Sequence, residues 1–385
     1  MRSLSLGAIV ALVVTTLAAA AAAQGICYDP WVGHYWEPIW LPEIYVTNRD
    51  SSSVSVVSAT SDKVVATVAV GGRPVDLVYS DGKVYVLNSL DDTVSVINVW
   101  SRRVVATIPV GNGASHIACN DYNVYVTNTL DDTVSAIRIA TDKLVDTIPT
   151  DDGPNQIQAS CDKVFVVCDG AHSLQVLITD GSVACKTSYS ISLDAGVTPR
   201  IFGSWGPDLY VQGSGDDIFE IYAWTAAITR HVLPQAIGTP IGGDRYRIYT
   251  YNASALGGPG LYEVYLRTDA TTGWAQLDPQ AIRPYFHKYL SITTIWVPCW
   301  NNGDGSVWGI QTQDSSPSLF EGCRIHTGGA PTALVFCGNK AYVVDGRAGG
   351  NSVFVINVLD LAATRPMATI TVGDFPCAVA VTSWP

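Results

Sequence analysis

Pairs of aspartates recur at one place in this chain. Asp91-Asp92 and Asp131-Asp132 sit in near-identical settings, NSLDDTVSVI and NTLDDTVSAI, and Asp216-Asp217 in GSGDDIFEI resembles them. Asp304 in NNGDGSVWG is a looser match. Clustered carboxylate oxygens are what calcium, a hard cation, takes as ligands. An Asp just ahead of a strand can also do something simpler, accepting backbone N–H bonds within a hairpin turn. Regular placement in successive units favours the turn, and EF-hand spacing is absent. Calcium is the one cofactor these carboxylates suggest, and no other cofactor is expected.

A second set carries four different functional groups. Asp76, His116 and Gln156 occupy matching places in PVD, ASH and PNQ, and Arg200 directly follows the next proline. A carboxylate, an imidazole, an amide and a guanidinium at matched positions could bind a polar ligand or an ion. They could also form a wall whose polar groups bond only to water, which is the simpler reading. The remaining histidines, His34, His172, His231, His287 and His326, are scattered. Zinc or copper sites need several convergent ligands, and neither a CxxC pair nor zinc spacing is present. No Gly-x-Ser-x-Gly elbow, P-loop or dinucleotide fingerprint occurs.

What must position these residues is a repeat. Ile44-Tyr45-Val46-Thr47-Asn48, Val84-Tyr85-Val86-Leu87-Asn88 and Val124-Tyr125-Val126-Thr127-Asn128 open three units that continue in parallel. A fixed period of about 20–50 residues signals a solenoid, a propeller or an array. Each unit holds four short alternating stretches separated by Gly, Pro, Asp or Asn. In the second unit they are residues 75–79, 84–88, 93–98 and 104–110. Four antiparallel strands per unit make a propeller blade, and no unit carries a helix-period stripe.

Later units begin near Leu209-Tyr210-Val211, Ile248-Tyr249-Thr250, Ile295-Trp296-Val297 and Ala341-Tyr342-Val343. With Phe165, the aromatic markers predict an all-β propeller of eight four-stranded antiparallel blades. Seven is the alternative if the weak region 199–290 folds less regularly. The first unit lacks an inner strand, and Pro376-Cys377-Ala378-Val379-Ala380-Val381 resembles the inner strands that start at Pro74 and Pro154. The last strand is therefore expected to complete the first blade, because an open ring would leave unpaired edges.

At Tyr45-Val46-Thr47-Asn48 and Tyr125-Val126-Thr127-Asn128 the chain resembles the YVTN β-propeller repeat family. The resemblance is strong over 44–170, weak through the middle, and recovers over 331–385. It implies a secreted or cell-surface propeller of the kind found in archaeal surface layers, usually described as seven-bladed. It implies no reaction, because propellers host many unrelated functions.

Composition agrees with this reading. The 385 residues carry 29 Asp and only 5 Glu, with 34 Gly and 20 Pro, a turn-rich balance that disfavours helices. The formal charge of −12 argues against a nucleic-acid partner, since phosphates must be neutralised by Lys and Arg. Hydrophobic residues at 48% exclude general disorder. Residues 1–23 read as a secretory signal peptide, with Ala21-Ala22-Ala23 before the cut. No later stretch is long and apolar enough to span a membrane. Nine cysteines suit an exported chain in which thiols become disulfides, and their odd number leaves one over. Asn252 heads the one N-glycosylation sequon, with meaning only in a host that glycosylates.

The expected layout is a signal peptide over 1–23, an aromatic arm over 24–43 and the propeller over 44–385. The arm carries Trp31, Trp36 and Trp40, an aromatic load rarely left in water. The expected function is a non-catalytic binding or structural module, secreted or at the cell surface, or periplasmic where the host has an outer membrane. Its partner would be a protein, a glycan or further copies of itself. The alternative is an exported enzyme, a lactonase-like hydrolase or a quinoprotein-like oxidoreductase, with its site at the channel mouth. Deleting residues 25–41 is expected to leave the β-rich circular dichroism spectrum intact and to reduce self-association in sedimentation velocity. Unchanged assembly of the truncated chain would remove the arm from that role.

Overall fold

The computed structural model describes residues 42–382, apart from short connecting segments between 161 and 315, together with two short strands ahead of them. Those two, Ile26–Cys27 and Glu37–Pro38, pair with each other. Trp31, Trp36 and Trp40 lie outside the described residues. No helix occurs among the described residues. Eight four-stranded antiparallel sheets follow one another along the chain.

The second sheet shows why the sequence folds this way. Its strands are Pro74–Ser80, Lys83–Asn88, Thr93–Asn98 and Arg103–Pro109, running from the centre outward. The two middle strands are buried almost throughout, because adjoining sheets cover both faces. The outer strand alternates, with Ile108 buried and Arg103, Val105 and Thr107 exposed. Tight turns join the strands. Asp81 and Gly82 both adopt positive φ (49° and 69°) between the first two, a conformation that Gly and Asp tolerate.

All eight aromatic markers are fully buried: Tyr45, Tyr85, Tyr125, Phe165, Tyr210, Tyr249, Trp296 and Tyr342. Each lies on the second strand of its sheet. They pack into clusters that cross sheet boundaries. Tyr85, for example, shares a core with Ile117, Val124 and Val126 of the third sheet. Burying a side chain of this size contributes several kcal/mol, about 3–5 by the cost of truncating it to Ala.

The ring closes as the repeat demanded. The first sheet is built from Glu43–Asn48, Ser53–Ser58 and Lys63–Ala69, with Pro376–Val381 as its inner strand. Ile44 pairs with Val381 and Val46 with Val379. Thr382 anchors the end, donating its N–H to the Glu43 carbonyl at 2.9 Å, while its hydroxyl accepts the Glu43 N–H at 2.9 Å. From the seventh sheet round through the first to the sixth, inner strands of adjoining sheets touch one another, which places them around a common centre.

Polar latches join the sheets on the face away from the inner-strand entrances. Lys83 of the second sheet donates to both oxygens of Asp142 in the third at 2.9 Å, and Tyr85 donates to the same carboxylate at 2.7 Å. Lys340 and Tyr342 of the eighth sheet repeat this on Asp62 of the first, at 2.7 Å each. Between the first and second sheets the polarity is reversed. Glu43 takes the Lys position and Arg102 the Asp position, 2.9 Å apart through Nε, with Tyr45 donating to Glu43 at 3.0 Å. Asp62, Arg102 and Asp142 all sit at positive φ in the same turn of successive sheets.

The disulfides expected of an exported chain are not formed among the described residues. Seven cysteines stand as thiols spread over five sheets, Cys168 and Cys185 in one shared cluster and Cys119, Cys299, Cys323 and Cys337 in four others. Burial raises Cys168 to about 12 and Cys119 and Cys323 to about 11, so all three stay protonated and unreactive near neutrality.

The latches predict a reciprocal rescue. Glu43→Lys, which faces Lys against Arg102, is expected to lower the urea midpoint by the equivalent of about 1–2 kcal/mol, the scale of a charged hydrogen bond lost between a buried carboxylate and an exposed guanidinium. Adding Arg102→Asp in the same chain should recover most of it. A double variant no more stable than the single one would show that the charges do not meet.

Candidate functional site

The inner strands enter the ring on the face that also carries the acidic hairpins. The entering strands of all the sheets but the seventh have a β-bulge near their start, for example between Pro74 and Asp76 and between Pro154 and Gln156. A bulge locally increases twist and re-aims a side chain. The residue affected is the one matched at sequence level.

Register puts the four candidates in equivalent places. Asp76 pairs with Leu87, two residues beyond Tyr85, and Gln156 pairs with Val167, two beyond Phe165. His116 donates its backbone N–H to the Thr127 hydroxyl at 3.1 Å, two beyond Tyr125. Arg200 pairs with Gln212, two beyond Tyr210. In sequence Arg200 stands one place nearer its proline than Asp76 and Gln156 do. The fifth sheet compensates by placing its bulge later, between Ile201 and Gly203. The second to fifth sheets thus present Asp, His, Gln and Arg in turn around one sector of the mouth.

The four fall into two neighbouring pairs. Asp76 accepts from its own Leu77 N–H at 2.8 Å and reaches across to the Ile117 N–H at 3.4 Å, next to His116. Gln156 accepts the Ile201 N–H at 2.9 Å, next to Arg200. Both side chains tie one sheet to the next while facing the mouth. Burial pushes the Asp76 carboxyl above its ordinary value. The His116 charge and the two backbone donors offset part of that rise. Burial also lowers the Arg200 guanidinium, with no neighbouring charge acting on it. Beside them Cys377 donates to the Pro74 carbonyl at 3.3 Å and touches the Thr47 hydroxyl at 3.2 Å, a link between first and second sheets absent from the sequence reading. Its only signal was its position after Pro376.

The acidic pairs act as turn clamps. Asp91 accepts the Gly72 N–H at 2.6 Å and Asp131 accepts the Asn112 N–H at 2.7 Å, each holding the loop that enters its own sheet. Asp92 accepts the Ala114 N–H at 2.9 Å and Asp132 the Gly153 N–H at 2.8 Å, each holding the start of the next sheet. The backbone N–H and then the side-chain amide of Asn112 hold Asp131 below the usual carboxylate range.

One match needs correction. Asp217 opens the third strand of its sheet where Thr93 and Thr133 stand, one residue past the hairpin position. Asp304, two residues before the Ser306 that pairs with Cys299, keeps the register place of Asp91. Asp217 is buried and ion-paired to Arg230, and Asp304 is exposed with His326 Nδ1 at 3.8 Å. Asp216 lies outside the described residues. Among the described residues no three His, Cys, Asp or Glu side chains converge as metal ligands would. Asn252 is half-buried at the end of its strand, opposite Gly260.

No family model and no curated protein matches the chain. Solved structures do. Dihydro-heme d1 dehydrogenase NirN, solved in complex with DHE, is similar at a TM-score of 0.70 and 16% identity, over 88% of this chain and 75% of that one. Apo AztD from Citrobacter koseri is similar at 0.59 and 16% identity, over 89% and 98%. A Bacteroides fragilis protein provisionally named a 6-phosphogluconolactonase is similar at 0.57 and 13% identity, over 92% and 100%. At these identities the likeness shows the β-propeller fold alone.

Asp76 provides a pH test. Its folded value is raised above the ordinary 3.8, so the folded chain keeps a proton that the unfolded chain has released. Stability is then lost as pH rises above about 4, where the unfolded state binds fewer protons. Asp76→Asn keeps an acceptor for Leu77 and Ile117 without the charge. Its urea midpoint is expected to gain on wild type between pH 4 and 7. Parallel curves would place the carboxyl in water.

Proposed function

We propose that this chain is an exported β-propeller that binds a partner or ligand without transforming it. One observation carries the reading: carboxylates at the mouth are engaged in holding the ring together. Asp91, Asp92, Asp131 and Asp132 each accept backbone N–H groups, and Asp76 bridges two sheets. A carboxylate committed to positioning backbone is poorly placed to shuttle protons or act as a nucleophile, both of which need a free, suitably tuned group. What remains is a stiff ring with a polar mouth, suited to recognition. Export is supported by the leader-like residues 1–23, and no helix among the described residues is long and apolar enough to cross a membrane. The arm with Trp31, Trp36 and Trp40 would add attachment to a protein, a glycan or a second copy.

A second reading, an exported enzyme working at the same mouth, is favoured by the Asp76–His116 pair. A buried carboxyl beside an imidazole is an arrangement that acid–base chemistry can use. The similarity to NirN, a dehydrogenase, is compatible with it.

One experiment separates the two. The full-length chain, expressed in a host with a secretion pathway, is fractionated beside a variant lacking residues 1–23, and the exported form is purified for its absorption spectrum and metal content. Export of the full chain alone, with a protein-only spectrum and no stoichiometric metal, is the expected result. A bound chromophore or stoichiometric metal would overturn the non-catalytic reading, and cytoplasmic retention of both forms would overturn export.

A further inference from the structure

Arg200 differs from the cations that hold the sheets together. Lys83, Arg102, Lys340 and Arg347 each lie against a carboxylate at 3.0 Å or less, and Arg230 is ion-paired to Asp217. Among the described residues no carboxylate or carbonyl meets the Arg200 side chain. It opens the inner strand of the fifth sheet with its side chain exposed at the mouth, at the register position of Asp76, His116 and Gln156.

Its neighbours around the mouth add donors. Gln156 has its carbonyl oxygen fixed on Ile201 N–H at 2.9 Å, which leaves both amide N–H groups to donate elsewhere. The His116 ring is exposed and makes no hydrogen bond among the described residues. Asp76, at the end of the arc, has both oxygens on backbone N–H groups. The acidic hairpins are similarly committed, so the donors in this sector are left without acceptors.

We propose that His116, Gln156 and Arg200 form the seat of an oxyanion, a carboxylate or phosphate group carried by a small ligand. The proposal rests on the binding reading of the ring and names the ligand chemistry of its mouth. A planar guanidinium takes two oxygens of such a group in parallel N–H···O bonds. The Gln156 amide supplies a further donor from the adjoining sheet, held in place by its bond to Ile201. The imidazole one sheet further closes the donor side. The overall −12 charge opposes an approaching anion only at long range, where salt of about 0.15 M screens beyond roughly 8 Å.

The test uses the mature full chain labelled at its histidine rings. Inorganic phosphate and succinate are titrated separately at constant ionic strength against chloride, and the His116 resonances are assigned with a His116→Gln variant. A saturable shift of His116, absent from His172 and His326, is expected with at least one probe, and which one identifies the source of the oxyanion. Arg200→Gln, checked for wild-type circular dichroism, should weaken that response at least tenfold, and Arg200→Lys should recover it only in part. Neither probe shifting His116, or Arg200→Gln responding as wild type does, overturns the proposal. The titration is independent of where the cell places the protein, so failed export with intact anion binding would sink the location alone.

Discussion

Closure of the ring is the constraint on which everything else depends. A row of sheets left open would expose the inner edge of Glu43–Asn48 and the unshielded face of the last sheet, both able to recruit other chains. The C-terminal strand removes that edge by pairing Val381 with Ile44, and Thr382 locks the join through two bonds to Glu43. The joint is non-local, linking residues more than 300 positions apart, so its loop-closure entropy is met by the side chains that pack around it. Ile44, Val46, Tyr342 and Val344 do this in one shared core.

Charge serves the same end. The latches at Asp62, Arg102 and Asp142 occupy one structural position in three consecutive sheets, yet the middle one carries the opposite sign. Its partner, Glu43, is reversed with it. A Lys at position 43 would face Arg102, so the reversal makes the first sheet a poor substitute for its neighbours. The Tyr hydroxyls at 45, 85 and 342 join these carboxylates, and burial beside negative charge drives their pKa values upward. They therefore stay protonated donors. An acidic composition thus reflects assembly: the carboxylates sit where backbone N–H groups, lysines and tyrosines need acceptors.

The scaffold is nearly regular while its mouth is not. At the position held by Asp76, His116, Gln156 and Arg200, the eighth sheet has Ala333, opposite Val344 two residues beyond Tyr342. The first sheet has Ala378 there, tied to Thr47 by its N–H at 2.9 Å. Polar groups gather on one side of the ring and small apolar ones on the other. Backbone geometry does not require this difference, since the second and fourth sheets make the same bulge with Asp76 and Gln156 that the eighth makes with Ala333. The asymmetry is where a function distinct from folding can reside.

Much of this was legible in the residues themselves. Period, turn composition and strand alternation are local properties, so the spacing of Tyr45, Tyr85 and Tyr125 fixed the blade, and the orphan strand at Pro376 fixed the closure. The mouth positions of Asp76, His116 and Gln156 followed from that period. Tertiary structure decided the rest. Arg200 joins the arc only because a bulge shifts by one residue, and Asp217 leaves the hairpin set for the same kind of reason: one residue of register changes a side chain's neighbours. The partners of Asp142, Asp62 and Arg102 stand on adjoining sheets, some across the closure itself. No local pattern encodes a pairing that comes into being only when two sheets pack, and for that reason the ring had to be folded before its charges could be read.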